Sequence, residues 1–170
     1  SMFGYGRNSG GIFTSGGSQS NMTAIVMARD WFCSEVIGRD VRKYGLPENF
    51  TRLRMYTSEI SHFSMEKTAQ VMGLGCGCIV KVPVDSRKRI DTDKLEALIE
   101  KDISEGNIPF LAVATAGTTD FGSIDPMDRM ADICSRRNIW LHADAAYGSG
   151  AVLSDKYRKR ISGIERCDSI

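Results

Sequence analysis

Two rhythms of apolar and polar positions take turns along this chain. After the cap-forming run Asp91-Thr92-Asp93-Lys94, the residues Leu95, Leu98, Ile99 and Ile103 recur at helical spacing. Phe110-Leu111-Ala112-Val113-Ala114 is instead an unbroken apolar run, as in a strand covered on both faces. Met130, Ile133 and Cys134 share one side of a helix predicted over 127–137, and Ile139-Trp140-Leu141 follow as a strand. Further upstream, 53–57 and 78–82 read as strands, and 64–72 reads as a helix ended by Gly73-Leu74-Gly75. The cap residues Ser18-Gln19-Ser20-Asn21 open a long helix predicted to run to about residue 44, where Gly45-Leu46-Pro47 stops it. Residues 3–17, rich in Gly, Ser and Asn, read as loop. The basic stretch 156–161 reads as a surface helix, and 167–170 as the start of another strand.

Strands and helices that alternate in this way predict an α/β fold in three layers, a mainly parallel sheet with helices on both faces. With 170 residues, 42% of them hydrophobic, the chain can bury the core of one domain. Ser1, ahead of Met2, reads as a residue left by cloning and plays no part in the fold. A formal net charge of +1 offers no electrostatic basis for binding nucleic acid or a membrane surface. No apolar run is long enough to span a bilayer. The five cysteines are irregularly spaced, and only Cys76 and Cys78 lie close together. They read as reduced thiols of a cytoplasmic protein, and no metal is expected.

Candidate chemistry gathers where strands end, the edge at which open α/β sheets bind ligands. His142-Ala143-Asp144-Ala145-Ala146-Tyr147 sets a carboxylate there, followed by two small residues. Asp144 can hold a proton on a heteroaromatic nitrogen, or it can cap a following helix. Thr14-Ser15-Gly16-Gly17-Ser18-Gln19-Ser20-Asn21 is a glycine turn opening onto a helix, either an anion cradle or an ordinary capped turn. His62 follows a strand, where an imidazole can stack on a flat ring, move a proton or simply fill a structural role. Thr115-Ala116-Gly117-Thr118-Thr119 places hydroxyls at the end of the most apolar strand, or serves only as a turn. Gly73-x-Gly75-x-Gly77 is not a dinucleotide loop, because it follows a helix and precedes a strand, the reverse of the required order.

Taken in order, the glycine turn with Gly17 and Ser18, His62 within Ser-Glu-Ile-Ser-His-Phe-Ser, Ala-Gly-Thr-Thr and His-Ala-Asp-Ala-Ala-Tyr make the chain resemble the pyridoxal-phosphate group II amino-acid decarboxylases. The resemblance implies fold type I of the pyridoxal enzymes, with residues 1–170 forming part of the large, cofactor-binding domain. It further implies that Gly17 and Ser18 bind the cofactor phosphate and that His62 stacks on the pyridine ring. Thr119 would lie beside the cofactor, Asp144 would pair with the ring nitrogen, and Ala146 would lie against the ring. His62 and Asp144 are thereby the implied catalytic residues.

The family's cofactor-binding lysine follows a histidine shortly after an Asp-Ser segment. Here Cys167-Asp168-Ser169-Ile170 matches the approach to it, and neither His62 nor His142 is followed by lysine. The lysine-bearing segment, an N-terminal segment and a C-terminal small domain are therefore expected outside these residues, and this part alone is expected to be inactive. The expected reaction of the whole protein is decarboxylation of an L-amino acid, with pyridoxal 5'-phosphate as cofactor. The phrases around Gly17 and His62 look most like the diaminobutyrate type, with glutamate, lysine and aromatic amino-acid decarboxylases as alternatives. A non-catalytic, degenerate homologue is the alternative of a different class. The resemblance also implies a homodimer, and an uncovered sheet edge with apolar patches beside it is expected to make this part self-associate.

Overall fold

A computed structural model of the chain describes residues 2–170, leaving Ser1 outside the described residues. Four parallel strands form one sheet: β1 (Leu53–Ser58), β2 (Ile79–Val82), β3 (Ile108–Thr115) and β4 (Trp140–Asp144), in the order β2-β1-β3-β4. Helices α1 (Gly17–Phe32), α2 (Val41–Tyr44), α3 (Ser64–Val71), α4 (Thr92–Ser104) and α5 (Met127–Ser135) complete the regular structure. The sheet is buried on both faces. Ile25, Ala28 and Phe32 of α1 and Met65 and Ala69 of α3 pack on Leu53, Met55, Leu111 and Val113. Leu95 and Ile99 of α4 and Met130 and Ile133 of α5 pack on Tyr56, Ala112, Ala114, Leu141 and Ala143. Strand side chains alternate between faces, so each strand feeds both layers. The three-layer α/β architecture expected from the periodicity is the one observed.

One irregularity sits in the central strand. Arg54 pairs with Pro109 but Met55 pairs with Leu111, so Phe110 is the extra residue of a β-bulge. Phe110 and Leu111 consequently both join the α1–α3 layer. Beyond the bulge β3 and β4 run in regular register, and Thr115 lies opposite Asp144.

Several sequence expectations need correction. The helix predicted to reach residue 44 ends at Phe32, continues as a π-helical turn over Cys33–Ile37 and stops at Gly38. Gly38 adopts φ 78°, a left-handed conformation that terminates a helix cheaply only without a Cβ. Asp40 then accepts the amides of Arg42 and Lys43 and caps α2 as a separate turn. Residues 18–21 lie inside α1 rather than at its cap, because the N-cap is Gly16. Gln19 Oε1 reaches back to accept from the Ser15 amide at 3.0 Å, one residue ahead of the N-cap. The basic stretch forms only a 3-10 turn, Arg158–Ile161. The strand expected over 167–170 is reduced to a single parallel bridge between Ser169 and His142.

Candidate functional site

Strand alternation and helical spacing together build the site. On β4, Leu141 and Ala143 point into the α4–α5 layer, so Trp140, His142 and Asp144 point toward α1. On α1, Asn21, Ala24, Ile25 and Ala28 are buried at the i, i+3, i+4, i+7 positions of one stripe. A polar Asn21 at the head of an apolar stripe therefore meets the polar residues of β4. Gly17, one turn earlier on the same face, meets the loop after β4. A Cβ built on Gly17 would stand 2.8 Å from the Ala146 Cβ, so a glycine here lets the helix end approach the loop.

Asp144 is almost fully enclosed, with 7% of its surface exposed. Its Oδ2 accepts from Asn21 Nδ2 at 2.9 Å and its Oδ1 from the Ala146 amide at 3.2 Å. The second bond is a local turn bond of the kind Asp side chains favour. No α-helix begins after Asp144: turns lead to the 3-10 segment Ser149–Leu153, so the helix-cap reading of this residue falls away. Each carboxylate oxygen retains acceptor capacity toward the adjoining space.

His62 is half-buried after β1. Its Nδ1 accepts from the Ser64 amide at 3.2 Å and bonds the Ser64 hydroxyl at 2.9 Å. His142 is fully buried, with Nε2 at 3.0 Å from Asn21 Oδ1 and Nδ1 at 2.9 Å from Ser169 Oγ. Burial pushes the His142 imidazole down to about 4, against the opposing pull of the Asp144 charge, so this ring is neutral at physiological pH. Its role is to hold its neighbours.

A cavity of about 280 Å³ is lined by Gly17, Ser18, His62, Thr119, Asp144 and Ala146. These are the six residues singled out from sequence, brought together from four separate segments. Asn21 and Thr115 line it too. The Thr115 hydroxyl is buried with no hydrogen-bond partner, on the strand next to Asp144. Below it Asp125 accepts from the Thr115 amide and the Ile90 amide, each at 2.7 Å, tying the end of β3 to the loop before α4. Burial pushes the Asp125 carboxyl up to about 6.

The donor set suits a flat, anionic, heteroaromatic ligand. The first amides of α1, at Gly17 and Ser18, have no carbonyl a turn earlier to bond and open on the cavity, as at anion-binding helix ends. Asp144 offers an acceptor for a ring N–H, and Gly17 and Ala146 supply a small-residue wall. Sequence reasoning gave no individual role to Asn21, Ser64 or Thr115, although each lies in a segment it singled out. The detectable signal was Asn21 standing where the α1 stripe calls for an apolar residue; Ser64 and Thr115 left no such mark.

The family model described as the pyridoxal-dependent decarboxylase conserved domain matches residues 2–170. The acidic amino acid decarboxylase GADL1 of Xenopus tropicalis is 43% identical over 160 residues, covering 94% of this chain and 30% of that protein. The L-2,4-diaminobutyrate decarboxylase of Acinetobacter baumannii is 39% identical over 175 residues, covering 98% of this chain and 34% of that protein. Among solved structures, the glutamate decarboxylase domain of diaminobutyrate-pyruvate transaminase and L-2,4-diaminobutyrate decarboxylase from Vibrio parahaemolyticus superposes with a TM-score of 0.95 at 40% identity, covering 98% of this chain and 36% of that one. The chain thus spans about a third of the length of the relatives it matches.

Proposed function

The chain belongs to the pyridoxal-dependent decarboxylases, and from that premise we propose that it is the cofactor-binding part of an enzyme that removes the carboxyl group of an L-amino acid. The observation that carries this reading is Asp144, an enclosed carboxylate oriented by Asn21 and facing a cavity shared with His62 and the α1 N-terminus. The family's cofactor is pyridoxal phosphate. When bound, it supplies a protonated pyridine ring into which the electrons freed by loss of carbon dioxide can spread.

The chain's own residues would divide the work. The α1 amides at Gly17 and Ser18, with the positive end of the helix dipole behind them, would take the phosphate. Asp144 would hold the proton on the ring nitrogen and offset the charge there, an electrostatic contribution fixed before reaction begins. His62 would cover one face of the ring, with its Nδ1 already occupied by Ser64. Ala146 would close the opposite side, and Thr119 would stand at the rim. The cofactor-binding lysine and the small domain are assigned to the remainder of the whole protein, which we take to act as a homodimer in the cytoplasm.

For the substrate we propose a diaminobutyrate-type amino acid, supported by the Acinetobacter relative and the Vibrio domain. The GADL1 relatives support a second reading, an acidic amino acid. Incubating the whole protein and pyridoxal phosphate with L-2,4-diaminobutyrate, L-glutamate or L-aspartate, and separating the amines, tests both. 1,3-Diaminopropane as the main product supports the first reading. Products from the acidic substrates alone support the second. No amine from these three, nor from L-lysine or an aromatic amino acid incubated in the same way, overturns the enzymatic reading and leaves a non-catalytic homologue. The 170-residue chain by itself is expected to turn over no faster than free cofactor.

A further inference from the structure

Seven buried or half-buried groups form a continuous hydrogen-bonded network across the site, branched at Asn21. Trp140 Nε1 donates to Ser169 Oγ at 2.9 Å, and Ser169 Oγ meets His142 Nδ1 at 2.9 Å. His142 Nε2 meets Asn21 Oδ1 at 3.0 Å. The Asn21 amide nitrogen bonds Asp144 Oδ2 at 2.9 Å and Ser64 Oγ at 3.0 Å. Ser64 Oγ meets His62 Nδ1 at 2.9 Å. An indole N–H only donates and a carboxylate only accepts, so the two ends constrain everything between them. Turning the Asn21 amide over would set its oxygen against the Asp144 carboxylate, acceptor on acceptor. With the amide as it stands, His142 carries its proton on Nε2 and accepts from Ser169 through Nδ1. Both protons on the Asn21 nitrogen are used, so the Ser64 hydroxyl is left to donate to His62, whose proton lies on Nε2.

We propose that Asn21 is the positioning residue of this site: held in one orientation by His142, its amide donates at once to Asp144 and to Ser64, and so locks the ring-nitrogen acceptor and the ring-covering histidine into one directed relay. The inference rests on the cofactor reading above and deepens it. Asn21 touches no reacting atom in this scheme. It keeps Asp144 in the acceptor role and prevents its rotation away from the cavity. Through Ser64 it fixes the plane of His62. The low proton affinity of His142 agrees with a ring that serves as a neutral brace. The enclosure of Asn21, 3% exposed, gives each of these bonds more weight than it would have in water.

Two-bond proton–nitrogen NMR correlations of the isotope-labelled chain read each histidine tautomer directly. At pH 7, His142 and His62 should each carry a proton on Nε2 alone; His142 protonated on Nδ1 instead overturns the proposal. The probe for the site is pyridoxine 5'-phosphate, which lacks the aldehyde and therefore needs no lysine. Asn21→Asp places a second carboxylate against Asp144. His142 should then take up a second proton at pH 7, and probe affinity should fall at least tenfold while circular dichroism stays unchanged. Wild-type affinity together with an unaltered His142 spectrum overturns the positioning role. Should that variant lose its fold, Asn21→Ala removes the amide without adding charge. The same loss of affinity and a mixed His142 tautomer are then expected, and neither change again overturns the role. A wild-type chain that does not bind the probe counts against the cofactor reading, while the histidine tautomers judge the relay independently.

Discussion

At the scale of single residues, Asp144 and Gly17 make opposite contributions to the same cavity. Asp144→Ala in the whole protein should lower kcat by about 10²–10³, the effect typical of removing one preorganised electrostatic group. Cofactor affinity should change much less, because the phosphate contacts are untouched. Steady-state kinetics beside a cofactor titration check this, and near-normal kcat would reduce Asp144 to a turn-forming residue. Gly17→Val acts through space instead. Its side chain would enter the gap occupied by Ala146, where even a Cβ would stand only 2.8 Å away. Overpacking of this kind costs about 1–3 kcal/mol. Urea denaturation should show that loss, and pyridoxine phosphate binding should weaken with it. The two residues were equally visible as parts of the glycine turn and the Asp-Ala-Ala segment. Their reasons differ: Asp144 was legible by its chemistry, whereas the need for no side chain at Gly17 comes from Ala146, far away in the chain.

At the scale of elements, the end of β3 depends on Asp125, and the end of β4 on His142. The two titrate in opposite senses. Asp125 titrates at about 6 in the folded chain against 3.8 for the free side chain. The folded state thus binds its proton more readily, and this group's contribution to stability falls as pH rises from about 4 to 6. His142 titrates at about 4 when folded against 6.5 when free, so its contribution rises with pH across about 4 to 6.5. Each pH unit separating the folded from the free side chain is worth ~1.4 kcal/mol, so the two contributions are similar in size, about 3 kcal/mol each. These two contributions should therefore largely offset each other between pH 4.5 and 6.5. Asp125→Asn removes the falling contribution and should leave a stability that climbs with pH, although at low pH it starts lower by one lost amide bond. Denaturation midpoints at several pH values decide this, and parallel curves for the two proteins would contradict it. Periodicity revealed both strands but neither anchor, since Asp125 lies in the loop before α5 and the strand predicted over Ile139-Trp140-Leu141 stops one residue short of His142.

At the scale of the whole molecule, the mouth of the site presents apolar surface to solvent. Phe13, Tyr147 and Leu153 are exposed, and among the described residues the outer edge of β4 is met by the short segment Asp168-Ser169 alone. Unpaired strand edges and exposed apolar patches promote association. Light scattering across a hundredfold range of concentration should show a mass that grows with concentration. A constant monomer mass would show that these surfaces are tolerated in water.

What the amino-acid order determined by itself is local. Runs such as Phe110 to Ala114 specify a doubly covered strand, and the Leu95–Ile99 spacing specifies one apolar helix face, because both depend only on neighbours along the chain. The order of the chemical segments was equally legible, and with it the family. Glycine and cap effects at Gly38 and Asp40 were also written locally, although the apolar pattern masked them. Tertiary structure alone decided which polar residues work together. Asn21 meets Ser64, His142 and Asp144 across 43, 121 and 123 positions of sequence. A hydrogen bond lasts only when both partners arrive within about 3 Å and leave water together. That condition is met by the packing of α1 on the sheet, and no spacing within either segment encodes it.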